Sequence, residues 1–394
     1  MIFKDFKSLK LSTLGFGAMR LPKVEPSGEI DEEKAVEMIE YAYNNGVNYF
    51  DTAFFYHEGN SERFIGKALS KFPRDTWYLG NKFPGNFVDI VDGKMFLDLE
   101  CMGMENHTFN DPAEVFEYQL NNCEVEHFDF YMLHNVSEST FDLYTDEKLG
   151  IVNYLCEQKK AGRIKNLGFS SHGRYETIDK FLNHYDCFEF VLMQLNYLDW
   201  TLQEAGKKYD VLTKHGVPVF VMEPTRGGLL AAPGEEAQAA LKASRPDDTP
   251  VSWAFRFLQS LPNVAVVVSG MSTLEQVKEN IKTFGKSDPM QDSEKAVLQS
   301  VVDGMASFVP CTTCRYCCGA CPKKLDIPML IATYNEAARE VTWYVEDVID
   351  SLADDKKPQE CIACGACNPL CPQNIDIADT IAKLNELLEN ADSE

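Results

Sequence analysis

Nine of the chain's thirteen cysteines fall in two runs, "CTTCRYCCGACP" starting at Cys311 and "CIACGACNPLCP" starting at Cys361, and eight of the nine share one spacing. Both read C-x2-C-x2-C-x3-C-P: Cys311, Cys314, Cys317 and Cys321 followed by Pro322, then Cys361, Cys364, Cys367 and Cys371 followed by Pro372. Thiolates spaced this closely on a tight turn can hold three corners of a metal cubane, and the fourth corner has to come from farther along the chain. Zinc is the rival, but its tetrahedral sites are commonly built from pairs of C-x2-C and have no use for a third close cysteine or a trailing proline. Two copies of the pattern argue against coincidence. Of the other five cysteines, Cys101, Cys123, Cys156 and Cys187 are scattered and Cys318 falls inside the first run, so the pattern is metal spacing and not a disulfide framework. Cys318 has no place in the ligand count and is expected to be a buried spectator.

In bacterial two-cluster ferredoxins with this spacing, the fourth cysteine of each run ligates the other cluster. The expected ligand sets are therefore Cys311, Cys314, Cys317 and Cys371 for one [4Fe–4S] cluster, and Cys361, Cys364, Cys367 and Cys321 for the other. The repeat continues into "CPKKLDI" and "CPQNIDI", so each run should feed a similar turn and then a helix. Between the runs, Leu330, Ile331, Tyr334, Ala338, Val341, Val345, Val348 and Leu352 recur at helical spacing within Pro328 to Leu352. The expectation is a small, mostly helical dicluster ferredoxin-like domain over residues 311–394, with a connecting helix at 291–310.

The preceding residues have a different texture. Apolar, β-branched runs recur ("LSTLGFGAM", "VNYFDTA", "WYLGNKF", "DFYMLH", "IKNLGFSS", "FVLMQLNY", "PVFVMEP", "VAVVVSG") with amphipathic segments such as "DEEKAVEMIEYAYNNG" between them. Eight strands alternating with helices point to an α/β fold, a parallel (β/α)8 TIM barrel over residues 1–290, whose functional residues belong at the strand C-terminal ends. The formal net charge of −24 argues against a nucleic-acid or anionic-membrane surface, because nothing would neutralise phosphates. No run of eighteen apolar residues and no signal-peptide pattern is visible, so a cytoplasmic protein is expected.

Polar residues collect at those strand ends, and their order carries a resemblance. "NYFDTAFFYHEGNSERFIGKAL", then "NKF", "DFYMLH", "LGFSSHG", "MQLNY" and "SGMSTLEQVKENI" resemble the aldo/keto reductase family along about residues 1–290. The resemblance implies a catalytic tetrad of Asp51, Tyr56, Lys82 and His134. These residue types suit carbonyl reduction: when hydride reaches the carbonyl carbon, the oxygen becomes an alkoxide and needs a proton. A free tyrosine, with a pKa near ~10, is a reluctant acid at neutral pH. A lysine ammonium nearby is expected to lower that pKa, an aspartate to hold the lysine, and a histidine to donate a hydrogen bond to the substrate oxygen. Taken singly, each has a plainer explanation: Asp51 capping a turn, Lys82 a solvated lysine, His134 a core histidine, Tyr56 a rim aromatic. Glu62 and Arg63 also match, and an exposed pair on a helix accounts for them. The long segment after strand three is expected to contribute a substrate wall, with Phe54, Phe55, Tyr197 and Trp200 as candidate aromatic surface or as packing.

For a nicotinamide, the resemblance implies contacts from Ser170, Ser171 and Gln194, from Met222, Pro224, Gly227, Gly228 and Leu229 around the loop after strand seven, and from Gly270, Gln276 and Asn280 at the adenosine end. Arg226 in that loop would hold an anionic cofactor or substrate group, or form a loop salt bridge. Three positions depart from the pattern: Ser171 stands where the usual pair has asparagine, Met222 where an aromatic floor is usual, and "GMSTLEQVKEN" lacks the cation that would pair a 2′-phosphate. NAD(H) is therefore expected over NADP(H). Nicotinamide gives two electrons as hydride and a cluster passes one at a time, so a mediator such as flavin stays open; TIM barrels hold FMN without a G-x-G-x-x-G motif. The leading reading is an oxidoreductase acting on a small carbonyl compound or its alcohol, with no nucleic-acid or membrane partner. The alternatives are a reductase fed through its clusters by a ferredoxin-like partner without nicotinamide, and a non-catalytic electron carrier or redox-responsive binding protein.

Overall fold

The computed structural model describes residues 1–99, 107–305, 309–338, 343–350 and 352–391. Cys101 and Val341 lie outside the described residues. The chain divides into two compact units, one formed by Met1–Pro224 with Asp247–Lys295 and the other by Thr225–Pro246 with Ala296–Glu394.

The first unit is a closed barrel of eight strands: β1 Leu14–Gly17, β2 Tyr49–Asp51, β3 Tyr78–Phe83, β4 Phe128–Leu133, β5 Ile164–Ser171, β6 Val191–Gln194, β7 Val219–Met222 and β8 Val264–Gly270. Every neighbouring pair is parallel, and β8 closes on β1 through Val267↔Leu14 to Gly270↔Gly17. These are the eight runs named from the sequence. Strands buried on both faces read as continuous apolar stretches, because helices cover the outside and side chains fill the inside. The inside is aromatic: Tyr49, Phe130, Phe190 and Phe220 pack with Leu192, Val266 and Val268.

An N-terminal hairpin, Phe3–Phe6 with Leu9–Ser12, closes the end where the strands begin. Phe6 enters the interior cluster, its ring 5.4 Å from Phe130 and 5.7 Å from Phe220. Asn48, just before β2, accepts from the Ser12 amide (2.8 Å) and donates to Lys10 O (2.8 Å). With that end sealed, the opposite end is left for a site. The segment after β3 forms a small antiparallel sheet, Asp89–Val91, Lys94–Asp98 and Thr108–Phe109.

In the second unit, helices Ile327–Ala337 and Ile377–Ala391 share a core of Leu325, Leu330, Ile331, Ile375, Ile381, Leu384 and Leu388. Asp326 and Asp376 occupy equivalent places before these helices and accept from the amides of Met329 (3.4 Å) and Asp379 (3.2 Å), as aspartate at a helix start does. The single helical pattern read across Pro328 to Leu352 resolves into Ile327–Ala337 and a separate Trp343–Asp350. Helix Asp292–Gly304 occupies the expected connection. Among the described residues no helix is long and apolar enough to cross a membrane.

Candidate active site and cysteine centre

The strand ends opposite the hairpin bring the four tetrad residues together. Asp51 is the last residue of β2, Lys82 the penultimate residue of β3, and His134 the first residue after β4; all three are buried. Lys82 Nζ donates to Asp51 Oδ1 at 2.5 Å and to Thr52 O at 2.7 Å. The same ammonium lies 5.0 Å from the centre of the Tyr56 ring. Gly80 makes room for this pair, since a Cβ there would lie 2.5 Å from the Tyr49 hydroxyl and 3.2 Å from Asp51 Oδ2.

The electrostatics differ from the sequence expectation at one point. Lys82 was expected to lower the Tyr56 pKa; instead burial raises it well above the ordinary value, with Asp51 and Glu223 adding to the rise and Arg20 opposing it. Lys82 faces the ring and is committed to Asp51, so the carboxylates dominate what the phenol oxygen senses. Lys82 itself is lowered by burial against the pull of Asp51. His134 is held well below its ordinary pKa by burial, with Lys82 and His172 contributing, so its imidazole is neutral. Phe55 stacks on that ring at 5.1 Å and 12°, and Tyr144 anchors the backbone by donating to His134 O (2.7 Å).

One reading from the sequence needs correction. Glu62 is not an exposed helix residue: it is completely buried, accepting from Asn81 (2.8 Å), Gln119 (2.7 Å) and Asn122 (3.0 Å), while only Arg63 faces solvent. Burial pushes the Glu62 carboxyl up to about 7 despite those three donors. Of the two readings left open for the aromatics, Phe54 takes packing: it is fully buried against Phe109 and Tyr118. Tyr197 and Trp200 likewise pack on Phe257.

The proposed nicotinamide contacts divide between the two units. In the barrel, Ser170 Oγ accepts from the Asn135 amide (2.8 Å), Ser171 Oγ donates to Val136 O (2.6 Å), and Gln194 donates to Asp199 (2.7 Å). Met222 ends β7 and packs on the interior aromatic cluster. Gly270 ends β8 beside Arg20, Gln276 accepts from the Ser272 amide (2.7 Å), and Asn280 donates to Ser269 Oγ (3.2 Å). Pro224 is the last residue of the barrel unit at this point, whereas Arg226, Gly227, Gly228 and Leu229 belong to the second unit. Arg20, His172 and Asp199 went unnamed in the sequence; His172 directly follows the Ser170–Ser171 pair, which was the available signal.

In the second unit the two cysteine runs have the same backbone. Left-handed residues recur two after the first cysteine (Thr313, φ 55°; Ala363, φ 50°), one after the second (Arg315, φ 67°; Gly365, φ 70°) and three after the fourth (Lys324, φ 51°; Asn374, φ 53°). Such conformations cost energy in residues other than glycine. Their repetition at matching positions marks a loop shaped around something, and in the first run the Thr313 amide points back at Cys311 Sγ (3.4 Å). Burial raises the thiols of Cys311 and Cys314, and Cys371 is near enough to raise both further. Cys317 is raised by its hydrogen bond with Cys318 and by burial, and also senses Cys314 and Cys371. Cys321, Cys361, Cys364 and Cys367 line one small cleft. The structure thus gathers the cysteines four and four, with the last cysteine of each run among the first three of the other. Among the described residues no three His, Cys, Asp or Glu side chains converge on a point that would hold a single ion.

The first unit is thus a closed parallel barrel with Asp51, Lys82 and His134 buried beside a partly buried Tyr56, and the second a repeated cysteine module. The aldo/keto reductase family model matches residues 13–303, and a 4Fe-4S dicluster domain model matches residues 310–376. The chain belongs to the aldo/keto reductase family, is an oxidoreductase enzyme, and carries a C-terminal 4Fe–4S dicluster domain. Over 315 residues it is 24% identical to the uncharacterized oxidoreductase YqkF of Bacillus subtilis, covering 73% of this chain and 92% of that one. It is 22% identical over 325 residues to the NADH-specific methylglyoxal reductase of Escherichia coli, covering 75% and 96%. A probable aldo-keto reductase of Glycine max is 24% identical over 228 residues, and there the chain spans only 60% of the relative's length. Among solved structures, the holo form of the aldo-keto reductase AKR11C1 from Bacillus halodurans superposes with a TM-score of 0.59 at 26% identity, covering 76% of this chain and 96% of that one.

Proposed function

We propose that the barrel reduces a small aldehyde or ketone with Tyr56 as the proton donor. The observation that carries this reading is the buried Lys82–Asp51 pair set against the face of Tyr56. A raised pKa keeps the proton on Tyr56 at neutral pH, ready for an oxygen that becomes an alkoxide. As that proton leaves, Arg20 is the cation whose charge favours the phenolate, while Asp51 keeps Lys82 against the face of the ring. Neutral His134 can donate a ring N–H to the same oxygen, and a well-placed donor of this kind contributes to stabilising the developing charge. NAD(H), when bound, would supply the hydride; the Escherichia coli relative, named for NADH and methylglyoxal, supports that cofactor and suggests a small dicarbonyl as first probe.

For the second unit, the proposed ligand sets are Cys311, Cys314, Cys317 and Cys371 for one [4Fe–4S] cluster, and Cys321, Cys361, Cys364 and Cys367 for the other, which would carry electrons singly. Exposure at Cys364, with Ile362 at 58% and Leu370 at 46%, favours a ferredoxin-like electron partner at the latter. Replacing Tyr56 by Phe tests the barrel reading: NADH-dependent carbonyl reduction should fall by about 10²–10⁴-fold with NADH affinity preserved. Turnover equal to wild type would reject Tyr56 as the acid.

A further inference from the structure

Arg226 stands in the loop that follows β7, yet its surroundings lie in the cysteine unit. It is completely buried. Its guanidinium donates from Nη2 to Gln373 Oε1 at 3.4 Å, and Gln373, itself 4% exposed, is two residues past Cys371. The next residue, Gly227, at φ 66°, lies so close to Thr312 that a Cβ would be 2.6 Å from Thr312 O, and Thr312 adjoins Cys311. One loop therefore touches the chain beside two cysteines, Cys311 and Cys371, that come from different runs but belong to the same proposed ligand set.

We infer that Arg226 is a positioning residue that raises the reduction potential of the cluster held by Cys311 and Cys371. The inference rests on the ligand sets proposed above. A guanidinium stays charged throughout the accessible pH range, and one electron added to a thiolate-bound cluster makes it more negative with no bond made or broken. A buried cation beside two of its ligands favours that reduced state, since charge and hydrogen bonding around the sulfurs set such potentials. A cluster function for Arg226 stands beside the two roles expected from the sequence, holding an anionic cofactor or substrate group or forming a loop salt bridge.

The test uses full-length protein handled without oxygen. Iron and acid-labile sulfide analysis with EPR of the reduced wild type comes first; absence of clusters would overturn the ligand reading and this inference with it. With clusters present, EPR-monitored titration with a chemical reductant is compared for wild type, R226K and R226Q. R226Q should lower the reduction equilibrium constant of one cluster by about tenfold, equivalent to about 59 mV for a one-electron couple, leaving the other cluster unmoved, and R226K should restore the wild-type value. Should R226Q fail to load iron, Gln373→Glu sets an anion against the guanidinium and should shift the same cluster in the same direction. Unchanged potentials in R226Q, or in Gln373→Glu where R226Q loads no iron, would overturn the inference. Weakened NADH binding with both potentials unchanged would do so too, and would favour Arg226 as the holder of an anionic cofactor group.

Discussion

Glu62 offers a prediction whose sign and size follow from its burial. Its carboxyl rises from an ordinary 4.5 to about 7 because the charged form has left water and three amide donors do not fully replace it. Below pH 4.5 the group is neutral in folded and unfolded chains alike, so it imposes no penalty. Between 4.5 and about 7 the unfolded chain has released the proton and the folded chain has not, so stability falls as pH rises. Above about 7 the folded protein carries a buried carboxylate, and the accumulated cost is about 3 kcal/mol. Glu62→Gln removes the titration. It also alters one acceptor facing Asn122, a constant offset of about 1–3 kcal/mol, but that offset does not depend on pH. Urea denaturation of both proteins from pH 4.5 to 8.5 should therefore show the difference in unfolding free energy moving by about 3 kcal/mol in favour of the variant. Parallel profiles within about 1 kcal/mol would refute the reasoning, since Glu62 would then titrate alike in both states.

Two other perturbations have definite outcomes. Asp51→Asn leaves the Lys82 ammonium buried without its 2.5 Å partner; breaking a buried pair in this way costs about 3–5 kcal/mol, read by denaturation, and carbonyl reduction should fall with it. A loss under about 1 kcal/mol would mean the pair is solvated. Cys371→Ser should disturb the cluster of Cys311, Cys314 and Cys317, and Cys321→Ser the other, so the two variants should lose different EPR signals; loss of the same signal in both would refute crossed ligation.

Much of this arrangement was legible from residue types and spacing, for identifiable reasons. The eight barrel strands are buried on both faces, so each reads as an apolar run closed by a polar residue, and the cysteine repeat declares itself by spacing alone. Burial created by other elements was not legible. Glu62 looks like any charged residue in a first helical turn until Asn81, Gln119 and Asn122, from β3 and helix Pro112–Asn122, close around it. Chain order put Arg226 with the barrel, whereas its hydrogen bond to Gln373 spans 147 residues. The rise in the Tyr56 pKa escaped notice because its main cause is burial by surrounding elements, to which Asp51 and the sequence-distant Glu223 add.

The measurement closest to the central claim is the fate of the hydride. The anaerobic holoprotein is given NADH carrying deuterium at the transferable C4 position, with methylglyoxal and a panel of simple aldehydes and ketones, and the products are analysed by mass spectrometry and NMR. The account predicts one deuterium on the carbinol carbon of each reduced product, and loss of that product in Tyr56→Phe. Product without deuterium, formed only when a low-potential one-electron donor reduces the clusters, would contradict it and make the cysteine module the source of the electrons.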